Sequence, residues 1–600
     1  MSNIIRDAPI GQLVRLITRN RVLRYAEEQP DFALPEPWKK LMNNESKYAA
    51  PDSTSETTTS SSSSSTRQDD DENDTQTHNT DTINPPQPAV LSSTRNQPDP
   101  ENNGNDEQEL KLEKTQSIPI VPKKTKDGAI LVDWYYTDDP ENPHNWTNLR
   151  RAMVTVLICI YTFVVYTSSA IYTTSESGVM AEFGVNDTQA ALGLALFVLG
   201  YGIGPLLFSP LSELPSVGRN PVYTWTMFLF VIVSIPAAVA TNYPGLMVLR
   251  FLQGLFGSPC LANGAASLAD MYSMMAVPYA LIAWVSAAYC GPALGPLLSG
   301  FSVPVMGWRW SLLEVLWASV PVFLAMFLFL PETSTPTLLR QRAQRLRKIT
   351  GDARFMSQSE IEQRNLDKRA VLIDALIKPL EITIKDPAIL FVQVYSAIIY
   401  GIYYSFFEVF PLVYPVYYGM GPGQIGLVFL CILVACLIGV AIYIAYLYFY
   451  LNPRIAAHGF PVQESRLTPA LLAAFGPTVG LFIFAWTARP DVHWLAPTVG
   501  ITVYGATVFV IMQCIFVYVP LSYPQYAASL FAGNDFFRSA LAFASILFAK
   551  PMFAHLGVAR GTTLLAGLSI IGIIGIWVLY FIGARLRSMS KFAVSADEEE

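Results

Sequence analysis

Twelve stretches after residue 148 are each about 20 residues long and almost free of charge. An α-helix needs about 20 apolar residues to cross a hydrocarbon core of about 30 Å. Lipid offers no water to satisfy backbone N–H and C=O groups, so an open chain of this kind must cross as helices. The windows are 151–172, 189–211, 221–240, 245–269, 277–301 and 311–330, then 388–412, 424–450, 467–487, 494–520, 525–549 and 562–584. They predict an all-α membrane protein of two six-helix bundles. Charge agrees: 14% of residues are charged, against about 25% in soluble domains.

Basic residues in the short connections set the orientation. Arg150 and Arg151 precede the first window, Arg219 follows the second, and Arg585, Arg587 and Lys591 follow the last. The interval 331–387 is densely basic, from Arg340 to Lys385, whereas the alternate connections open on Glu176, Glu182 and Asp187. Both termini are therefore expected in the cytoplasm. The resulting plan is a cytoplasmic, largely disordered tail over 1–148, a bundle over 149–330, a cytoplasmic central loop over 331–387, a second bundle over 388–588 and a short cytoplasmic tail over 589–600. In the first tail, Ile10, Leu13, Val14 and Ile17 share a helical face near Arg15, Arg19, Arg21 and Arg24. Such a helix can lie on an anionic leaflet, bind a partner or stay solvated. Residues 51–108, with the run Ser60–Ser65, have too little apolar surface to fold and offer phosphorylation sites. Asn186-Asp187-Thr188 is a glycosylation sequon on the outer side.

Several function classes drop out. The six cysteines lie in apolar windows without a CxxC pair, so they are neither disulfide staples nor a metal site. No HExxH, GxSxG or phosphate loop occurs, and the five histidines form no constellation that a membrane-bound acyltransferase or desaturase would need. No catalytic residues, metal or cofactor are expected, and no basic, aromatic-interleaved patch offers a nucleic-acid surface.

Three strings carry the chemistry. The second window ends in Gly204-Pro205-Leu206-Leu207-Phe208-Ser209-Pro210-Leu211-Ser212-Glu213, with Gly218-Arg219 following. A carboxylate beside a guanidinium can lock a gate; an ordinary charged turn is the alternative. The fourth holds Arg250-Phe251-Leu252-Gln253-Gly254. An arginine in an apolar span is costly and should face the bundle interior with a partner, unless it snorkels to the nearby interface. The fifth reads Gly291-Pro292-Ala293-Leu294-Gly295-Pro296. Glycines four apart admit a close helix, and the prolines free backbone carbonyls.

Together these strings resemble the major facilitator superfamily, specifically the twelve-span drug:proton antiporters of fungi. The loop motif matches Gly204, Glu213, Gly218 and Arg219; the fourth-span motif matches Arg250, Gln253 and Gly254; the antiporter motif matches Gly291, Pro292, Gly295 and Pro296. Trp308-Arg309-Trp310, Leu330-Pro331-Glu332-Thr333 and Ala532–Arg538 are further family-like strings, and the resemblance covers about residues 131–588. The exit of the tenth span, Tyr518–Pro524, looks most like that of the fluconazole- and benomyl-resistance exporters. The resemblance implies a monomeric plasma-membrane exporter of azoles, benomyl-like fungicides and other amphipathic compounds, driven by the proton gradient. A nutrient importer is the alternative, and the fifth-span motif speaks against it. Two departures stand out: Asp270–Pro278 has no basic residue, and the first span's carboxylate, Glu176, lies at its outer end.

Antiport needs a group that holds a proton and gives way to substrate. Glu408 leads, set in Tyr403-Tyr404-Ser405-Phe406-Phe407, an aromatic run suited to flat drugs or simply to packing. Asp535 and Arg538 lie three apart and can neutralise each other. Gln253, Asn263, Gln393 and Gln513 are polar groups within spans that could orient substrate, alongside Tyr403, Tyr404 and Phe407.

Overall fold

The computed structural model describes residues 2–46, 117–125, 127–364 and 368–590. The tract 51–108 with its serine run, and the acidic end Asp597-Glu598-Glu599-Glu600, lie outside these. Among the described residues, twelve helices are long and apolar enough to cross a membrane. They are Asn148–Phe183, Asp187–Glu213, Arg219–Ala238, Tyr243–Met271, Val277–Met306, Arg309–Phe329, Pro387–Tyr418, Pro422–His458, Gln463–Thr487, Leu495–Ser522, Ser529–Leu556 and Val558–Ser588. Each overlaps its expected window, and we number the spans in this order. The even count returns the chain to the side it started from, here called the terminus side; the other is the far side.

Several spans are broken where their sequence says they should be. In the first, the helix Asn148–Ala170 gives way to a tighter turn, Thr173–Ser175, before Glu176–Phe183. Ser169, Thr173 and Thr174 each donate to a carbonyl three residues back, competing with the regular ladder. The fourth divides into Tyr243–Gly257 and Pro259–Met271 because Pro259 has no N–H to offer.

Small residues bring the helices together. A Cβ on Gly254 would lie 2.0 Å from the Phe197 carbonyl oxygen, and one on Gly200 would lie 2.3 Å from that of Phe251. Spans two and four therefore touch backbone to backbone. Gly291 and Gly295 do the same for spans five and one, where added Cβ atoms would come within 2.7 Å of Tyr166 and 2.8 Å of the Ile171 nitrogen. The seam between the two bundles uses the same device. Gly202 faces Ser539 across spans two and eleven, and Gly300 and Gly426 join spans five and eight.

On the terminus side the chain is more ordered than its polar composition predicted. Within 1–148, the stretches 2–35 and 119–148 pack with the helix Thr335–Thr350 of the central interval, and Ile130–Leu131 pairs in parallel with Phe355–Met356. The physical reason is a matched set of charges around buried aromatic rings. Arg342 meets Asp139 at 2.7 Å, Glu141 at 3.1 Å and Glu27 at 3.2 Å, while Arg345 meets Glu27 and Glu141 at 3.1 and 2.9 Å. The two guanidinium groups lie 4.3 and 4.0 Å from the ring centres of Tyr135 and Tyr25. The separate unit Glu36–Ile118 contains the helix Glu36–Ser46.

Valine at Gly254 would force spans two and four apart, costing about 1–3 kcal/mol or more. A thermal melt of the detergent-purified Gly254→Val variant should fall well below the parent, while Gly567→Ala, with open space around it, should not. The charge cluster adds a pH dependence. Burial opposes the charge on Asp139, but the hydrogen bond and charge of Arg342, with backbone N–H groups, hold its carboxyl below the usual range. Burial likewise opposes Glu28, and Arg15 with the Tyr25 N–H draws it down. A depressed folded pKa gives stability that is present above about pH 4 and lost as pH falls through the depressed value. Glu141, pushed up by burial against Arg345 and Arg342, carries the opposite sign. Hydrogen exchange of residues 2–35 should therefore accelerate below about pH 4 while the spans stay protected.

Candidate functional site

Arg250 does not snorkel; it is fully buried. Its Nε donates to Gly193 O at 3.0 Å, Nη1 to Ser168 O at 3.1 Å and to Gln253 Oε1 at 3.2 Å, and Nη2 to Ser169 O at 3.2 Å. Its guanidinium lies 4.9 and 4.6 Å from the ring centres of Tyr172 and Phe197. The expected partner is thus a set of carbonyls at the break of span one rather than a carboxylate. Gln253 completes this knot by donating to Ser234 at 2.9 Å, which turns it toward span three and away from the bundle interface.

At the interface of the two bundles lies an aromatic chamber. Tyr166, Trp284, Tyr289, Tyr400, Tyr403 and Phe516 line it, with Arg538 its one cation. Arg538 pairs with Asp535 at 2.6 Å, donates to the Tyr166 hydroxyl at 3.2 Å and lies 4.8 Å from the Tyr400 ring centre. Tyr201 bonds to Tyr400 and, at 3.0 Å, to Tyr404. The chamber holds about 40 Å³, room for a few waters. Phe516 also walls a vestibule of about 700 Å³ toward the terminus side, within the size of drug-binding pockets. Glu213, Arg219, Asp270 and Arg466 lie around it.

The expected gate residues are rearranged. Arg219 binds Asp270 at 2.6 Å, not Glu213, although all three face the vestibule. Glu332 of the family-like Leu-Pro-Glu-Thr string accepts from the Arg219 and Asn220 N–H groups at 3.1 Å each, so it caps the start of span three. On the far side, Asp187 of span two meets Lys550 of span eleven at 2.9 Å, bridging the bundles. Arg309 and Trp308 hold Glu182 at 2.5 and 2.8 Å, which ties span one to span six.

Glu408 is buried, and its Oε1 has no hydrogen-bond partner among the described residues. The charges of Lys550 and Asp187 both reach it, and Glu176, a partly exposed residue whose Oε1 is buried and unpartnered among the described residues, feels its charge. Of the other candidates, Tyr403 lines the chamber, Tyr404 packs behind it on the Tyr400 and Tyr403 rings, and Phe407 stacks on Phe429 with centroids 5.1 Å apart. Gln393 accepts from Asn534 at 2.7 Å, Asn263 accepts from Ser209 at 3.0 Å, and Gln513 reaches the Leu281 carbonyl at 3.5 Å across the bundle seam. These three join helices and stand apart from the chamber lining. Asn186 is exposed on the far side and caps span two through Gln189. The sequence reading missed Tyr166, Tyr289, Tyr400, Asp270 and Lys550. A tyrosine beside the polar run Thr167-Ser168-Ser169, and a lysine next to Pro551 at a span end, were the available signals.

Lysine at 250 keeps the charge but loses the planar fork that serves three carbonyls at once. Each charge-assisted hydrogen bond lost costs about 1.5–3 kcal/mol. Arg250→Lys should melt well below the parent in a thermal-shift measurement, and an unchanged melt would remove this knot from the fold's supports.

The family model of the Major Facilitator Superfamily matches residues 158–545. The chain is 42% identical to the MFS-type transporter pyvG of Aspergillus violaceofuscus, covering 99% of this chain and 100% of that one. It is 38% identical to fluconazole resistance protein 1 of Saccharomyces cerevisiae, over 78% and 86% of the two chains. It is 33% identical to the cycloheximide resistance protein of Candida maltosa, over 99% and 100%. Among solved structures, the partially occluded inward-open xylose transporter XylE from E. coli aligns with a TM-score of 0.51 at 13% identity, over 72% of this chain and 98% of that one; this likeness concerns the fold alone. With twelve spans in two bundles and relatives of this kind along its whole length, the chain belongs to the Major Facilitator Superfamily and is a transporter, not an enzyme.

Proposed function

We propose that the chain expels amphipathic compounds, azoles and benomyl-like fungicides among them, across the plasma membrane in exchange for protons, as a monomer with both termini in the cytoplasm. The observation that carries this reading is the drug-sized vestibule on the terminus side, which narrows onto an aromatic chamber at the bundle interface. Flat rings on several sides suit compounds that are apolar and variable in shape. Relatives named for fluconazole and cycloheximide resistance support export of such compounds.

In this reading the structure is an inward-facing state, with glycine contacts at Gly300 and Gly426 and the Asp187–Lys550 pair closing the outer end. Substrate enters the vestibule from the cytoplasm or the inner leaflet and moves against the Arg538–Asp535 pair. Glu408 holds the proton. When ionised, it attracts Lys550 and repels Asp187, weakening the outer bridge; when protonated, it leaves that bridge intact. A proton arriving from outside therefore returns the transporter to the inward-facing state, and its release inside readies the next cycle. Neutral glutamine at 408 would hold the outer bridge closed.

Cells producing the protein should accumulate less of a labelled azole than cells without it, and collapsing the proton gradient should erase the difference. Glu408→Gln should raise accumulation to the level of the empty cells. Low accumulation that survives gradient collapse would refute proton coupling, and full export by Glu408→Gln across pH would remove that residue from the mechanism.

A further inference from the structure

The helix Pro9–Ile17, second in the chain after Ser2–Asp7, leans on spans three and six and turns one apolar edge outward. Leu16 and Ile17 are 76% and 72% exposed, and Val22 is 49% exposed. A tight hairpin follows in which Arg19, Asn20 and Leu23 all have positive φ, at 52°, 61° and 55°. Side chains with a Cβ adopt that conformation at a cost, so the surroundings must enforce it. They do so from beneath. Arg15 is buried and grips Glu28 with two 2.7 Å bonds, while its Nη1 also holds the Leu23 carbonyl at 2.7 Å. Gln12 donates to the Tyr25 hydroxyl at 2.9 Å. The arginine that the helical pattern placed among surface charges is thus internal. Arg19, Arg21 and Arg24 remain, exposed and displayed beside the bare Leu16, Ile17 and Val22.

Below this hairpin runs an apolar groove of about 680 Å³. Leu13 and Leu16 form one wall, and Trp225, Phe228, Phe323 and Phe327 of spans three and six form the other. The second wall continues the outward, lipid-facing surface of those spans, where Trp225 is 65% and Leu324 49% exposed. A tryptophan near the end of a span marks the level of the bilayer interface. An apolar slot that continues the lipid-facing surface, beside three exposed arginines that form no ion pair among the described residues, has the polarity of one molecule class.

We infer that residues 9–24 bind anionic phospholipid of the terminus-side leaflet, with an acyl chain in the groove and Arg19, Arg21 and Arg24 at the headgroup phosphates. The choice of that leaflet rests on the cytoplasmic placement of the termini, because the cytoplasmic leaflet is the anionic one. The lipid contact itself does not depend on what is transported.

The test uses the full chain in lipid nanodiscs, which present the same lipid on both faces and so do not depend on orientation or transport. Hydrogen exchange over residues 12–24 is compared between discs of phosphatidylcholine alone and discs containing one-third phosphatidylserine. Each arginine at an anionic surface is worth about fivefold in occupancy, so three give roughly a hundredfold. Exchange should be markedly slower in the anionic discs. The difference should vanish in high salt and in the triple variant R19Q/R21Q/R24Q, which leaves Arg15–Glu28 intact and the hairpin folded. Leu16→Glu should speed exchange in both disc types. Equal exchange in the two lipids, or slowing that survives in the triple variant, overturns the inference. Protection that grows with protein concentration in either lipid would instead make this surface a contact between copies and overturn it as well.

Discussion

A single guanidinium without a carboxylate holds the N-terminal bundle in register. Desolvating Arg250 is costly in so apolar a place, and four oxygens from spans one, two and four offset that cost. Two of those oxygens, on Ser168 and Ser169, sit just before span one breaks at Thr173–Ser175. The arginine therefore fixes where the first span changes direction. Tyr166, one turn earlier, is thereby aimed into the interface chamber, and Glu176, after the break, reaches the far-side cluster with Glu408. Gly254 one turn along lets span four approach span two closely enough for Arg250 to reach Gly193.

Charge is handled differently at the three levels of the molecule. Midway, Asp535 and Arg538 neutralise each other inside an aromatic wall. On the far side, Asp187 and Lys550 bridge the bundles beside the close glycine contacts of spans five and eight. On the terminus side, arginines and carboxylates interleave in a network where Arg342 alone meets three acids. The Asp535–Arg538 and Arg342 groups are buried, where an ion pair is weak evidence of net stability, whereas Asp187 and Lys550 stand partly in the open.

The number and type of elements were legible because each span is long, apolar and bounded by Gly, Pro or charge. The four-residue glycine spacing in span five likewise announced a close helix contact, but not that span one makes it. Partners across the fold were not legible. Arg219 has Glu213 six residues away in sequence, yet it binds Asp270, fifty-one positions on. Gln253 reads as a polar group in a span, but only its rotation about the helix decides that it meets Ser234 and not a cavity. The chamber draws its rings from spans one, five, seven and ten, so no local string contains it. Residues 2–35 and 119–148 looked like tail because their apolar side chains are few; Tyr25, Trp134 and Tyr135 suffice because the arginines of a distant helix pack against them.

The terminus-side network has a bearing on how the two halves can move. Glu27, Asp139 and Glu141 reach Arg342 and Arg345, and the helix Pro9–Ile17 rests on spans three and six, all of them in the first half of the chain or directly continuous with it. That half carries the extra mass and its cross-bracing, whereas spans seven to twelve meet it chiefly along two glycine seams. Any displacement of one half against the other must therefore carry residues 2–35 and 119–148 as one piece with spans one to six, since their ion pairs and packing tie them there.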